Sequence, residues 1–387
     1  MSGLFLGHKM SLNRHLHDGY SSLRRRFARE SSVIASDEVL CSYPSWVIQD
    51  CGAETFQSDI EKLFYRSISV AIRHEWPRST LYRLSKPFVS GDQGHTYIKN
   101  GSVLPFESKS TVSTENAKLR YPIKSLARKL NGVYFHLTGL NHENHGHFIA
   151  EHLPRLVASI QFIKSTKCTI LVAPQHSKWQ VRYLSLLGFP KDRIVEGSHG
   201  TVVVEELYYA PSLSGSLPIS SPQYLRQISS QFAAATDSIR PLRLGQPYML
   251  WLSRDDAPNK KLLNEPELIE ICSRKFGRVI KLCLTGKSLT EQIELFKGAW
   301  CIIGATGQAF INSLFVSDKI FVIIDCDPAL QSSIWANAYA SIAACGGNQY
   351  LRLTCNDKRD RHKNFNYPND KFNVDMDLLY NIIHHGS

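Results

Sequence analysis

The segment Asn141–Leu156, NHENHGHFIAEHLPRL, contains four histidines and two glutamates within sixteen residues. Imidazoles bind metals and exchange protons near neutral pH, so the segment suits a metal site, a proton-transfer site or a substrate pocket. Helical zinc motifs of the HExxH and HxxEH types place their ligands about one turn apart. The spacing His142–His145 is one residue too short for the first type, and His147–His152 is one residue too long for the second. We therefore expect no metal here.

The pair His147 and Glu151 fits proton transfer better. The two residues are four apart at the start of an expected helix, so their side chains share one face. A carboxylate beside an imidazole fixes its tautomer and raises its basicity, which suits a general base. The alternative is that His147 caps the helix or packs in the core, with Glu151 as its partner.

A second segment, residues 251–265, offers cations for a phosphate ligand. An expected strand ends at Ser253 and Arg254, and the loop after it contains Lys260 and Lys261. An arginine fork and lysine point charges at the carboxyl end of a strand suit a diphosphate. A solvated basic loop is the alternative.

A third segment, residues 304–315, has the sequence GATGQAFINSLF. Gly304 and Gly307 lie at an expected strand-to-helix turn, where backbone N–H groups can bind an anion. The glycines do not form GxGxxG, and the chain has no GxxxxGK[ST] motif. Dinucleotide-binding and P-loop NTPase functions are therefore disfavoured.

The elements that must position these residues alternate between strand and helix from residue 130 onward. Strands are expected at 131–139, 168–174, 192–197, 201–211, 248–254, 278–284, 300–307, 319–325 and 349–354. Helices are expected at 145–164, 179–189, 223–236, 264–277, 288–299, 309–316 and 332–345, the last of the chain. Pro154 predicts a kink or an irregular turn in the first helix, Asn264 is an expected N-cap, and Ser288 with Glu291 predicts a capping box.

This alternation predicts an α/β fold with mainly parallel sheets covered by helices, which bind ligands at the carboxyl ends of their strands. The segment from Ser212 to Pro247 is the best candidate for a crossing between domains. We expect an irregular N-terminal extension or part of the N-domain over 1–110, a Rossmann-like domain over 111–240 and a second one over 241–387.

The composition is that of a globular protein, with 387 residues, 43% hydrophobic, 20% charged and a mean hydropathy of −0.20. Without an apolar stretch of about 18 residues or a secretory signal, we expect a cytoplasmic protein. The net charge of +11 favours anionic partners, but its dispersal argues against nucleic acid. The basic cluster at 23–29 suits an anionic membrane surface or a solvated arm. Nine scattered cysteines without CxxC indicate reduced thiols.

In this order and spacing, the three segments resemble the signature blocks of the family 61 glycosyltransferases, over residues 130–355. This family includes bacterial capsular polysaccharide enzymes, plant xylan-decorating transferases and animal O-linked sugar transferases. The matching residues are Asn144, His147, Phe148, Glu151 and 153–156 in the first block, Ser253, Arg254, Lys260, Lys261, Asn264 and Glu265 in the second, and Gly304, Gly307, Asn312 and Phe315 in the third. In the third block Thr306 replaces the usual His, and Ala309 replaces a Gly.

The resemblance implies a GT-B architecture, in which two Rossmann-like domains face each other across a cleft. It implies an inverting, metal-independent transfer from a nucleotide sugar, expected to be UDP-linked, with no cofactor. Glu151 is the expected base with His147 assisting, and Asn144 and Arg155 are expected to bind the acceptor. The expected donor-binding residues are Ser253, Arg254, Lys260, Lys261, Gly304, Thr306, Gly307 and Asn312. The nearest DxD sequence, Asp325–Asp327, ends a strand, and we do not expect it to bind a metal.

The leading hypothesis is therefore an enzyme that adds a sugar to a hydroxyl of a cell-surface polysaccharide or lipid-linked glycan. The acceptor would lie at the cytoplasmic face of the membrane, with which the protein would make peripheral contact. Two alternatives stay open. One is a non-catalytic sugar- or nucleotide-binding protein of the same fold, favoured by Thr306 and Ala309, and the other is a metal-dependent hydrolase built on the histidine cluster.

Overall fold

A computed structural model divides the chain into two compact units. The first comprises Met1–Ser45 and Pro77–Leu213, and the second Trp46–Trp76 and Ser214–Ser387. The change of unit after Leu213 falls inside the segment expected to cross between domains. The structure describes residues 29–30, 38–42, 46–48, 74–76, 80–90, 95–97, 102–103, 127–139, 141–174, 178–198, 200–213, 220–325, 330–354 and 364–385.

The secondary structure of these residues alternates between strands and helices over most of the chain, as the sequence predicts. The strands are β1 (Arg29–Glu30), β2 (Glu38–Ser42), β3 (Trp46–Ile48), β4 (His74–Trp76), β5 (Thr80–Ser85), β6 (Phe88–Ser90), β7 (His95–Tyr97), β8 (Ser102–Val103), β9 (Arg128–His136), β10 (Thr169–Val172), β11 (Ile194–Glu196), β12 (Thr201–Tyr209), β13 (Tyr248–Leu252), β14 (Val279–Leu282), β15 (Ala299–Ala305), β16 (Ile320–Asp325) and β17 (Gln349–Thr354). The α-helices are α1 (His145–His147), α2 (Leu153–Val157), α3 (Ile160–Ser165), α4 (Lys178–Leu186), α5 (Pro222–Ala235), α6 (Glu265–Phe276), α7 (Leu289–Gly298), α8 (Leu330–Cys345) and α9 (Asn369–His385). A π-helical turn spans Phe148–His152, and 3-10 helices span Lys191–Arg193 and Gln308–Phe315.

The sheet of the first unit has a parallel centre and antiparallel additions. Its parallel strands lie in the order β11-β10-β9-β12. Numbered along the chain this order is 3-2-1-4, that of the first strands of a Rossmann fold. Strands β5 and β6 pair antiparallel with β12, and β2 and β7 extend the sheet from them. Residues 80–103, in the region expected to be irregular, thus contribute strands to this sheet.

The sheet of the second unit is entirely parallel, with the order β14-β13-β15-β16-β17. This is 2-1-3-4-5 along the chain, the flavodoxin-like doubly wound order. All five residues of β13 are buried, as expected for a parallel strand covered on both faces. In both sheets the strand order reverses between two neighbours, β9 and β12 in the first unit and β13 and β15 in the second.

Three local features differ from the sequence prediction, and one agrees with it. Ser288 and Glu291 form the predicted capping box at α7. The helix predicted at 309–316 is instead a 3-10 helix, and α9 was not predicted. The Asn264 side chain does not cap α6; it pairs with the backbone of Tyr367. This pairing joins the start of α6 to the segment before α9, whose Met376 packs on Cys272 of α6.

The free thiols in the described structure include Cys168, Cys272, Cys283, Cys301 and Cys345. Among the described helices, none is both long enough and apolar enough to span a bilayer.

Candidate active site

The first candidate segment begins with a capped helix start at the carboxyl end of β9. The side chain of Asn144 accepts hydrogen bonds from the backbone N–H groups of Gly146 and His147, at 3.0 and 3.2 Å. These bonds satisfy donors that have no partner within the helix. Asn144 therefore fixes the start of the helix that carries His147, and its predicted contact with the acceptor stays a prediction.

The helix then loosens into a π-helical turn over Phe148–His152, in which Leu153 N–H donates to the carbonyl of Phe148, five residues back. Pro154 accounts for the irregularity, because it has no N–H for the carbonyl of Ala150 and its ring would clash with that carbonyl in an α-helix. The predicted irregular turn is thus confirmed. Single π turns occur frequently at functional sites, and Glu151 lies in this one.

His147 and Glu151 form a close pair across this turn. His147 Nδ1 lies 2.7 Å from Glu151 Oε1, and the two side chains are 19% and 7% exposed. Since an ionised carboxylate only accepts, the proton of this bond lies on Nδ1. The predicted sharing of one face is confirmed, and the arrangement is that of a carboxylate held by an imidazole near the surface of the first unit.

The other histidines of the segment have structural partners. His145 Nε2 lies 2.7 Å from the Tyr183 hydroxyl, and burial lowers the pKa of His145 to about 4. His142 Nδ1 donates to the carbonyl of Gly139 at 2.9 Å, and His152 is fully buried. Within the part of the chain that the structure describes, no group of three or more His, Cys, Asp or Glu residues is arranged to hold a metal ion.

Arg155 is a fully buried cation that joins two strands. Its guanidinium donates to the carbonyl of Ala210, after β12, at 2.6 Å. It also donates to the carbonyls of His136, Leu137 and Thr138, at the end of β9, at 3.2–3.5 Å. Burial lowers the pKa of Arg155 to about 10, so the group stays charged at neutral pH. These contacts do not support the predicted role in acceptor binding.

The two sheets differ at the place where their strand order reverses, because Arg155 occupies this place in the first sheet. In open α/β sheets, ligands bind in the crevice beyond the carboxyl ends of the strands at which the order reverses. In the first unit these are β9 and β12, and Arg155 fills the gap between their ends. The corresponding point of the second unit lies between β13 and β15, where Arg254 and Gly307 follow the strand ends.

Arg254 lies directly against Gly307. A Cβ atom added to Gly307 would be 2.2 Å from Nη1 of Arg254, so the missing side chain makes room for the guanidinium. The hydrogen bonds of Arg254 are two long ones of 3.4 Å to the carbonyl of Asn259, and burial lowers its pKa. Within the described residues no carboxylate forms an ion pair with it. The second and third candidate segments thus meet at this contact.

Ser253 and Lys261 of the loop have hydrogen-bond partners within the chain. Ser253 Oγ donates to Glu265 Oε2 at 2.8 Å and accepts from the Asp255 N–H at 3.3 Å. Lys261 Nζ donates to the carbonyl of Asp255 at 2.7 Å. Lys260, next to it, is half-buried, with a left-handed backbone φ of 58°. Their predicted contacts with a donor stay predictions.

The third segment combines close backbone packing with buried polar groups. A Cβ atom on Gly304 would lie 2.4 Å from the carbonyl oxygen of Leu252, so this glycine permits the close approach of β15 to β13. Thr306 is buried, and its N–H donates to Ile324. Asn312 Nδ2 donates to Gln292 Oε1 at 2.8 Å, and its buried Oδ1 has no hydrogen-bond partner within the described structure.

The sequence model of the family Glycosyltransferase 61 matches residues 145–323. The chain carries a family 61 glycosyltransferase domain. The resemblance seen in the three segments is thereby confirmed, and the protein is assigned to the glycosyltransferases as an enzyme class. The matched range includes His147, Glu151, Arg254 and Gly307, and Asn144 lies one residue before it. No curated protein matches the chain.

The structure makes two residues of this glycosyltransferase prominent: Glu265, for which the sequence predicts no role, and Arg155, for which it predicts acceptor binding. Glu265 accepts hydrogen bonds from Trp251 and Ser253, and Arg155 joins the ends of two strands. A signal existed for Arg155, because it lies among apolar residues in FIAEHLPRLVASI, where a charge can be buried only with many partners. For Glu265 the signal is weaker, since nothing in the sequence identifies its partners.

Proposed function

We propose that the protein is an inverting glycosyltransferase that moves a sugar from a nucleotide-sugar donor to a hydroxyl group of a glycan acceptor. The observation that carries the proposal is Arg254. It is a half-buried cation, without a carboxylate partner among the described residues, at the point of strand-order reversal in the second sheet. Leaving a cation unpaired in a partly desolvated place is costly, and an anionic ligand removes that cost.

The donor's diphosphate is the anion that fits this place. Arginine binds phosphate oxygens with two parallel N–H donors, and Arg254 lies next to the backbone of the Gly307 turn. As the bond between sugar and phosphate breaks, negative charge develops on the departing diphosphate. A guanidinium already in place stabilises this charge in the transition state.

The acceptor's proton is taken by the pair in the first unit. In the proposed step the acceptor oxygen attacks the anomeric carbon as Glu151 removes the proton from its hydroxyl. The carbon–oxygen bond to the diphosphate breaks, and its electron pair leaves with the nucleoside diphosphate. His147 assists by holding the carboxylate through the 2.7 Å hydrogen bond. A single displacement of this kind inverts the configuration of the anomeric carbon.

The finer features of the proposal are supported by the family resemblance and by the charge of the chain. In the proposal, the base belongs to the first unit and the diphosphate contacts belong to the second, which is the arrangement of a GT-B enzyme. The family resemblance supports a UDP-linked donor, a metal-independent reaction and a capsular polysaccharide or lipid-linked glycan acceptor. The net charge of +11 supports anionic partners, including a membrane surface on the cytoplasmic side.

A metal-dependent hydrolase is not favoured by this geometry. Three histidines of the cluster, His142, His145 and His147, bond to Gly139, Tyr183 and Glu151 respectively rather than converging on one point. The non-catalytic alternative is addressed by the same experiment that tests the donor.

The experiment is a screen of nucleotide sugars for protection against thermal unfolding, followed by a transfer assay with the donor that protects. A ligand at a hundredfold excess over Kd stabilises the native state by about 2.7 kcal/mol. We expect one donor class to protect the wild type and to lose this effect in Arg254→Ala, with Arg274→Ala, an exposed arginine of α6 that lies near Glu270, as matched control. Protection without any transfer would favour the binding protein, and protection unchanged in Arg254→Ala would refute the site.

A further inference from the structure

We propose that Glu265 is a positioning residue for Arg254 and that Ser253 serves the same purpose instead of contacting the donor. This inference deepens the proposed function and rests on it, because it concerns the way in which the diphosphate-binding group is held. The relevant residues all lie in the second unit, at the carboxyl end of β13.

The buried carboxylate of Glu265 is contacted by three hydrogen-bond-donating side chains. Its Oε1 accepts from Trp251 Nε1 at 2.7 Å, and its Oε2 accepts from Ser253 Oγ at 2.8 Å. Lys281 Nζ, on the neighbouring strand β14, lies 2.7 Å from the same Oε2 and 2.6 Å from Asp255 Oδ2. The Glu265 side chain is 5% exposed. A buried carboxylate with this many charge-assisted bonds is held rigidly in one orientation.

The residues that Glu265 holds alternate along the chain with Arg254. Trp251 and Ser253 are two residues apart, so in extended backbone they point to the same face. Arg254 follows Ser253 and points the opposite way, where it lies against Gly307. Fixing Trp251 and Ser253 on one face therefore fixes the direction in which Arg254 leaves the strand.

Arg254 has little else to hold it. Its own hydrogen bonds are two contacts of 3.4 Å to Asn259, near the upper limit for such bonds. The Asp255 N–H donates to Ser253 Oγ at 3.3 Å, which ties the residue after Arg254 into the same network. The direction of the guanidinium is thus set by the backbone on both sides of it, and this backbone is set by Glu265.

A double-mutant cycle distinguishes this role from a general effect on stability. The ligands are ADP, CDP, GDP and UDP, and affinity for the full chain is measured by titration calorimetry. We expect Arg254→Ala to weaken the nucleoside diphosphate that binds by about tenfold or more, and Glu265→Gln, which keeps the side-chain shape, by about tenfold. In the Arg254→Ala background, Glu265→Gln should change the affinity by less than about twofold, because the group through which it acts is gone.

Glu270→Gln is the matched control, since this residue lies on the same helix with an exposed side chain. Ser253→Ala removes only one of the three bonds and is expected to weaken binding by about threefold; it decides the question if Glu265→Gln fails to fold. Wild-type affinity in Glu265→Gln and Ser253→Ala, or effects that multiply with that of Arg254→Ala, would overturn the positioning role alone. Failure of the wild type to bind any of the four nucleotides would overturn the donor site and, with it, this inference.

Discussion

Replacing Gly307 by alanine separates an effect on the proposed donor site from an effect on the stability of the protein. The backbone of Gly307 is extended, with φ of 179°, so alanine is conformationally acceptable there. Its Cβ, however, would lie 2.2 Å from Nη1 of Arg254, and ordinary contact begins at 3.4 Å, so the guanidinium must retreat by about 1.2 Å. Because this is the end of a flexible side chain, the stability loss is expected to stay below about 1 kcal/mol.

The functional loss is expected to be much larger. Misplacing a catalytic group by about 1 Å can cost about a hundredfold, so kcat/KM for the donor should fall by about 30- to 100-fold in Gly307→Ala. The assay measures nucleoside diphosphate release at varied donor concentration, with chemical denaturation of the same preparations.

Two other glycines provide the controls for this substitution. In Gly304→Ala the obstacle is the backbone oxygen of Leu252, at 2.4 Å, which has no flexible end to move. Stability should therefore fall by about 3 kcal/mol. Gly200→Ala, whose Cβ would make only an ordinary contact of 3.7 Å, should change neither property. Wild-type kcat/KM in a folded Gly307→Ala variant would refute the placement of Arg254 in the donor site.

Three further substitutions test the first unit. Glu151→Gln should lower kcat by about 100- to 10,000-fold and leave the donor affinity unchanged, because only proton removal is lost. Initial rates and calorimetry measure the two quantities, and a fully active variant would refute the assignment of Glu151 as the base. Arg155→Lys should lower the free energy of unfolding by about 2–3 kcal/mol without changing the donor affinity, because a lysine side chain cannot reach the carbonyls of both strands. Unchanged stability with a raised KM for the acceptor would instead support the predicted role of Arg155 in acceptor binding. His145 has a pKa of about 4 in the folded protein, below the value of 6.5 that it has in the unfolded chain. As the pH falls from 6.5 towards 4, the unfolded chain therefore takes up this proton before the folded protein does, and the free energy of unfolding decreases. His145→Phe should abolish about 2 kcal/mol of that loss in denaturation measured at pH 7 and pH 4, and an unchanged slope would contradict the assignment.

Much of the fold follows from local patterns in the sequence. The parallel strands of the two sheets and the capping box of Ser288 and Glu291 depend on residues close together in the chain, so periodicity and capping chemistry predict them. The irregular turn before Pro154 is of the same kind, because a missing N–H acts within one helical turn. Identification of the family likewise required only the order and spacing of the three segments.

The remaining features depend on partners that are distant in sequence. Asn264 has the residue type and position of an N-cap, but Tyr367, more than a hundred residues later, offers its backbone instead. Arg155 has the chemistry of a substrate contact, and only the fold shows that four strand-end carbonyls already occupy it. Helix α9 is not predicted from the sequence, because charged residues are interspersed among the apolar residues that pack on α6.

In the candidate site, residue types predicted chemistry better than they predicted contacts. The pairing of His147 with Glu151 follows from a spacing of four and was found. The contact between Arg254 and Gly307 joins two separate segments and required the parallel sheet to bring them together. The resemblance predicts that Ser253 binds the donor, and the hydrogen bond that its hydroxyl makes to the buried carboxylate of Glu265, twelve residues later, is a contact that residue types alone do not predict.

The central claim is direct, inverting sugar transfer that needs Glu151 in the first unit and Arg254 in the second. The most direct test follows the anomeric proton by NMR while the donor selected by the screen is consumed in the presence of a chelator. We predict a product whose anomeric configuration is opposite to that of the donor, formed at the same rate with and without the chelator, and absent with Glu151→Gln or Arg254→Ala. Retained configuration, or activity that disappears with the chelator and returns with stoichiometric zinc, would contradict the account.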